Sequence, residues 1–312
     1  MYVGIDVGGT NLKAALIDES GRLLTVERTP LGTFRGPERF AQDVAALTEQ
    51  VARKGGADPS TLESVGMGLP GAVSGGEILF TTNIPMEHVP IEKLFRRYLD
   101  LPLRLGNDAD CAAVGEYFCG AGRGTKNFVV VTLGTGIGSG LILNGKLYNG
   151  MGSGGEAGHM VIRHGGELCN CGRRGCWERY ASATALIRLT QEAMADHPES
   201  TLHTLAEKGG VEGRTAFQAA ETGDETALGV CRTYVEYLAD GLASLINILQ
   251  PEAVALGGGV AAAPDHLLME PLRDLVAREC FSRHGGYQTK IVKAELGNDA
   301  GMIGAALLRK AW

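Results

Sequence analysis

Three cysteines fall within eight residues, Cys169-Asn170-Cys171-Gly172-Arg173-Arg174-Gly175-Cys176, and His159 precedes them in Gly155-Glu156-Ala157-Gly158-His159. Three thiolates and one imidazole make a tetrahedral donor set suited to a structural Zn²⁺, with no position left open for water. Gly172 and Gly175 let the chain turn sharply enough for the three sulfurs to face one centre. His164 could supply the imidazole instead. His159 is favoured because it follows Glu156 in a Gly-rich stretch, and a ring with one nitrogen on metal can donate from the other to a ligand hydroxyl. The plainer reading, three buried free thiols, fits this density of cysteine poorly. Cys111, Cys119, Cys231 and Cys280 have no such spacing and read as buried thiols.

A second kind of chemistry is signalled by glycine. Asp6-Val7-Gly8-Gly9-Thr10 sets a carboxylate at a strand end beside a backbone able to bend round phosphate oxygens, with Lys13 just beyond. Neither G-x-G-x-x-G opening a helix nor G-x-x-x-x-G-K-[ST] occurs here, which disfavours a dinucleotide fold and a Walker A loop. Taken alone, the turn is a plain hairpin turn. Gly134-Thr135-Gly136-Ile137-Gly138 and Gly257-Gly258-Gly259 repeat the device, and three such turns could clamp a triphosphate and approach a nucleoside. Asn107-Asp108 stands at a strand end before a helix. There an aspartate could take the proton of an attacking hydroxyl, or the pair could simply cap the helix. Asn83, after Thr81-Thr82, is a candidate hydroxyl ligand or a turn residue.

The elements that must position these residues follow from the apolar pattern. Strands are expected at Tyr2–Ile5, Leu12–Ile17, Leu23–Val26, Val65–Leu69 and Leu103–Leu105, the first three forming a meander. Phe40, Val44, Leu47 and Val51 mark an amphipathic helix within Pro37–Lys54, and another helix is expected over Ala109–Phe118. Phe128–Leu133 and Gly140–Leu143 repeat the strand, glycine turn, strand plan, with Asn144-Gly145 as a hairpin dipeptide before Lys146–Tyr148. Beyond residue 180 the chain becomes mostly helical: Ala181–Ala195, Asp224–Leu249, Pro264–Cys280 and Asp299–Arg309, with strands at Ala253–Leu256 and Thr289–Val292. The repeated plan suggests two related α/β domains. One is expected over 1–118 with the last helix (299–312) packing back on it, the other over 119–298.

The net charge of −7 argues against a dominant nucleic-acid surface, though not against a nucleotide held through Mg²⁺ and backbone N–H groups. No apolar run reaches transmembrane length, and Met1 leads straight into Tyr2-Val3-Gly4-Ile5-Asp6 with no basic segment. The expectation is a cytoplasmic protein with no membrane or nucleic-acid partner.

The arrangement of glycine turns resembles the phosphate loops of the actin, Hsp70 and sugar kinase superfamily, which implies two ribonuclease H-like domains with a cleft between them. Within it, Asp6-Val7-Gly8-Gly9-Thr10-Asn11 and E-x-G-H followed by C-x-C-G-x-x-G-C-x-E, ending at Glu178, resemble the ROK family of sugar kinases and repressors along nearly the whole chain. Asn107-Asp108-Ala109 with Glu116 downstream is similar to the family's catalytic segment. The resemblance implies Asp108 as general base, and sugar hydroxyls held by Asn83, Asn107, Asp108, Glu156, His159 and Glu178. It implies that Asp6 helps to place Mg²⁺, that Gly8, Gly9, Thr10, Lys13, Thr135 and Gly136 hold the phosphates of ATP, and that Gly258 approaches the nucleoside. Zn²⁺ on His159, Cys169, Cys171 and Cys176 would brace the sugar site without joining the transfer. The full knuckle and the run Tyr180-Ala181-Ser182-Ala183-Thr184 look like the ATP-dependent glucokinases of the family, which implies glucose as substrate and a homodimer. A kinase for N-acetylmannosamine or N-acetylglucosamine is the alternative enzyme. Polyphosphate as donor, a sugar-sensing repressor and a zinc-stabilised sugar-binding module fit less well.

Overall fold

The computed structural model describes residues 1–207 and 209–311. Lys208, inside the larger expected domain, and Trp312, the last residue of the expected terminal helix, lie outside them. The chain folds as two compact units. Unit 1 comprises Met1–Val130, Gly140–Gly155 and Ala294–Trp312; unit 2 comprises Val131–Ser139 and Glu156–Lys293.

The first strands are β1 (Tyr2–Val7), β2 (Asn11–Ile17) and β3 (Leu23–Pro30), followed by α1 (Pro37–Lys54), β4 (Ser64–Leu69), β5 (Gly71–Ser74), β6 (Glu77–Thr81), β7 (Glu87–Val89), α2 (Ile91–Phe95), β8 (Leu103–Asn107) and α3 (Asp108–Cys119). The expected meander is present. One sheet has the order β3-β2-β1-β4-β8, antiparallel through β1–β3 and parallel from β1 through β4 to β8. β1 and β4 are apolar runs covered on both faces, whereas β3 alternates along its length as an edge strand does. Phe40, Val44, Leu47 and Val51 all point from α1 into the core, as their spacing requires. The antiparallel sheet β5-β6-β7 has no counterpart in the sequence expectations; its strands are too short and mixed to show a period of two.

The chain continues through β9 (Phe128–Leu133), β10 (Ile137–Leu143), β11 (Lys146–Tyr148), α4 (Glu178–Ala181), α5 (Ala183–Asp196), α6 (Leu202–Ala206), α7 (Thr215–Glu221), α8 (Glu225–Leu249), β12 (Ala253–Gly257), α9 (Met269–Glu279), β13 (Lys290–Lys293) and α10 (Ala300–Ala311). A second five-stranded sheet has the order β11-β10-β9-β12-β13. Asn144 and Gly145 both take positive φ, 54° and 78°, the two-residue turn that the Asn-Gly dipeptide favours between β10 and β11. The helix expected from Pro264 starts only at Met269, because residues 264–268 form turns closed by Leu267 and Leu268 N–H bonds to Pro264 O. Cys111, Cys231 and Cys280 are buried as expected, but Cys119 is only half-buried beside Ser20.

Within unit 1, α10 lies directly on β1 and β4. A Cβ at Gly4 would sit 1.9 Å from Met302 O, and one at Gly66 would sit 1.7 Å from Ala305 O. The bare strand surface is what lets the helix come so close.

Candidate active site and metal cluster

In unit 1 the predicted residues gather at the carboxyl ends of the parallel strands. Asp6 is in register with Gly68 of β4, and Leu69 is in register with Asn107 of β8, so Asp6 and the Asn107-Asp108 pair stand at one edge of the sheet, on the two strands that flank β4. Such an edge is where open α/β sheets bind ligands. Asn107 is the N-cap of α3, its Oδ1 accepting from Asp110 N at 2.8 Å, and Asp108 is the first helical residue, accepting from Ala109 N at 2.9 Å. The cap is therefore Asn107 through Oδ1, which leaves its Nδ2 for a ligand, and the Asp108 side chain is not the cap.

Burial raises the Asp108 carboxyl above the ordinary carboxylate range; the Ala109 N–H pulls it back, and the nearby Asp6 charge adds to the rise. Asp6 is likewise raised by burial and drawn down by Lys13, whose Nζ lies 3.9 Å from Asp6 Oδ2 across the β1–β2 pair. Lys13 thus reaches Asp6 from the side of the hairpin. Beyond it the turn is tight, with Gly8 N donating to Asn11 O at 3.0 Å, while a Cβ at Gly9 would meet nothing within 4 Å. Thr10 is exposed, and its carbonyl accepts from Leu31 N at 2.8 Å. Asn83 donates a long bond, 3.4 Å, to Val7 O, which ties it to the end of β1. Its buried Oδ1 has no partner among the described residues. A buried acceptor left unpaired is costly, and a ligand hydroxyl could satisfy it.

In unit 2 the knuckle closes on itself. The ligand atoms of His159, Cys169, Cys171 and Cys176 all lie within 4.8 Å of one another; His164 is not in the group. A tetrahedral Zn²⁺ with Zn–S near 2.3 Å requires donor separations of about 3.8 Å. The Cys171 and Cys176 sulfurs are 3.6 Å apart, and His159 Nδ1 is 3.7 Å from Cys169 Sγ, so the donor set and its spacing both fit. Nδ1 is the nitrogen turned toward the sulfurs. Burial raises the Cys169 and Cys176 thiols, whereas the Arg173 N–H lowers exposed Cys171.

Glu178 opens α4 against this cluster, its Oε1 2.9 Å from Cys169 Sγ and 3.6 Å from His159 Nδ1. The same carboxylate faces Gly136, where a Cβ would come within 2.5 Å of Oε2. Glu156 leads into the 3-10 turn Ala157–His159, which is seated by Ala157 N donating to Ser139 Oγ at 3.0 Å. The β9–β10 turn is held by α5: Ala183 N donates to Gly134 O and Thr184 Oγ1 to Thr135 O, each at 2.8 Å. Gly258, with φ 85°, packs on β9, where a Cβ would be 2.5 Å from Leu133 O. It opens a 3-10 turn, Gly259–Ala262, where a longer helix could have followed.

Sequence reasoning missed the anchor of the knuckle. Trp177 is fully buried, donates from Nε1 to Tyr237 O at 2.9 Å, and lies so close to α8 that a Cβ at Gly241 would come within 2.0 Å of its ring. Its place in the chain held no sign of this, since the partners stand some sixty residues away.

Comparison with known proteins identifies the family. Residues 2–311 match the ROK family. A glucokinase of Halalkalibacterium halodurans is 37% identical over 99% of this chain and 94% of its own, and a glucokinase of Thermotoga maritima is 36% identical over 99% and 96%. The crystal structure of a ROK family glucokinase from Streptomyces griseus in complex with glucose and AMPPNP superposes with a TM-score of 0.80 at 34% identity, covering 99% of each chain. The fold is accordingly the two-domain, ribonuclease H-like one of these kinases.

Proposed function

The chain belongs to the ROK family, and from that premise we propose that it transfers the γ-phosphoryl group of ATP to the 6-hydroxyl of a hexose, glucose being the substrate. The observation that carries this reading is the carboxylate pair at the strand edge: Asp108 leads α3, and Asp6 stands next to the end of β1. The glucokinase relatives, similar from end to end, support the choice of sugar.

The sugar oxygen attacks the γ-phosphorus as its proton passes to Asp108; the bond from γ-phosphorus to the bridging oxygen breaks and ADP leaves. Burial serves the base, because a carboxyl lifted toward the working pH holds a proton better once it has taken it. Asp6 offers a hard oxygen that suits Mg²⁺, which would offset charge on the phosphates. Lys13 supplies a cation, the Gly8-Gly9-Thr10 turn and Thr135 with Gly136 supply backbone that can approach phosphate oxygens closely, and Gly258, packed on β9, approaches the nucleoside through its backbone. Asn83, Asn107, Glu156, His159 and Glu178 hold sugar hydroxyls.

Zn²⁺ on His159, Cys169, Cys171 and Cys176 would act only as a brace. With Nδ1 turned to the sulfurs, His159 keeps Nε2 for a sugar oxygen, and the knuckle fixes the ring. The three clustered thiols suit a reducing, cytoplasmic setting, and among the described residues no helix is long and apolar enough to cross a membrane. The same reading includes a homodimer.

ADP release with MgATP is to be measured against glucose, mannose, fructose, N-acetylglucosamine and N-acetylmannosamine. Turnover with glucose that Asp108→Asn abolishes is the expected result. Preference for an N-acetylated sugar would overturn the substrate, and no turnover with any sugar would overturn the kinase.

A further inference from the structure

Glu116 is a charged side chain that the proposed transfer does not use, and it has no exposure to solvent. A buried carboxylate is costly unless hydrogen bonds replace its water. Here three backbone donors do so. Ala121 N and Glu295 N reach Oε2 at 2.9 and 3.0 Å, and Leu296 N reaches Oε1 at 2.7 Å. The first belongs to the chain leaving α3; the other two belong to the segment that leads into α10. One carboxylate therefore fastens the end of the helix that begins with Asp108 to the approach of the helix that ends the chain.

The two helices are in backbone contact along this seam. A Cβ at Gly115 would lie 2.4 Å from Ala300 O, and one at Gly304 would lie 1.6 Å from Cys111 O. At the Glu116 end of this seam the first turn of α10 also abuts the site, since a Cβ at Gly301 would come within 4.0 Å of Asp6 Cγ. All these residues belong to unit 1.

We propose that Glu116 is a positioning residue for phosphoryl transfer: its carboxylate fixes the first turn of α10 beside Asp6 and in register with α3, which carries Asp108. The proposal rests on the kinase reading above. If Glu116 only filled space, an apolar group of similar shape would serve as well. The directed N–H bonds, split between two segments, instead fix a register.

The test combines two readouts on Glu116→Gln, which keeps the shape but loses one acceptor oxygen, and on Glu116→Asp, which keeps both oxygens on a shorter stem. Either variant suffices if the other does not fold. Amide hydrogen exchange should quicken in the first turns of α10 and α3 while α1 stays as protected as in the unaltered protein. In the same samples kcat should fall about 10- to 100-fold, the scale of a misplacement near 1 Å, while the equilibrium affinity for glucose holds within about twofold. Unchanged exchange at α10, unchanged kcat, or an equal loss of protection everywhere would overturn the proposal. Absence of turnover in the unaltered protein would instead refute the kinase reading, and the exchange data would still decide whether Glu116 sets the α3–α10 register.

Discussion

Asp108 shows how a residue can be costly to the fold and useful to the reaction. Its carboxyl is raised by burial, so the folded state favours the protonated form, and Asp6 behaves in the same way. With folded values above unfolded ones, their contribution to stability is present below the ordinary carboxylate range and is lost as pH rises through the raised values. Two consequences can be measured. Asp108→Asn should lower kcat about 10²- to 10⁴-fold, the usual worth of a positioned base. The same variant should melt higher than the unaltered protein at neutral pH, because it removes a desolvated charge while its amide oxygen can still accept from Ala109 N. That advantage should shrink as the pH falls and Asp108 itself becomes protonated, which melting curves across pH 4 to 8 would reveal. Activity should fall over the same acid range, since only the ionised carboxylate can accept the proton. A variant equally active at neutral pH would remove Asp108 from the role of base.

The knuckle is the element in which sequence was most legible, and the reason is spacing: three of the four donors fall within eight residues and His159 precedes them closely, so short-range turns bring them together. The purified protein should hold one zinc per chain by elemental analysis. Stripping it with a chelator should lower the melting temperature and raise KM for the sugar more than it lowers kcat, since on the proposed reading the metal would fix His159 and take no part in the transfer. What spacing could not reveal is how the knuckle is attached. Trp177 is fixed by Gly241 and by the Tyr237 carbonyl, residues distant in sequence whose role exists only once α8 has packed. Gly241→Ala should cost about 1–3 kcal/mol by overpacking, read from denaturant unfolding, with Trp177 emission shifting to the red as its ring is pushed out. An unaltered midpoint and emission would mean that α8 can step aside. The same contrast runs through the other elements. The α1 helix and the Asn144-Gly145 turn were readable because periodicity and φ preference are local, whereas the turns at 264–268 that delay α9 and the short strands of the β5-β6-β7 sheet leave no period in the apolar pattern. Glu116 belongs to the unreadable class too, for its donors at Glu295 and Leu296 are nearly two hundred residues away.

For the whole molecule, the net charge of −7 and the end-to-end similarity to glucokinases point to a small neutral ligand as the natural probe of the native state. A ligand that binds only the folded chain stabilises it by mass action, by about 2.7 kcal/mol at a concentration near 100 times its Kd. For a chain of this size each kcal/mol moves the melting point by roughly 1.5 °C, so saturating glucose should raise it by roughly 4 °C. Because the sugar is uncharged, the shift should be nearly the same at low and at physiological ionic strength, whereas any nucleic-acid binding would weaken steeply with salt. N-acetylglucosamine at the same concentration tests the room around C2. If the sugar-binding residues leave no room at C2, the acetamido group costs binding, and the shift should be smaller. A larger shift with the N-acetylated sugar would keep the phosphoryl chemistry and reassign the substrate to an N-acetylhexosamine.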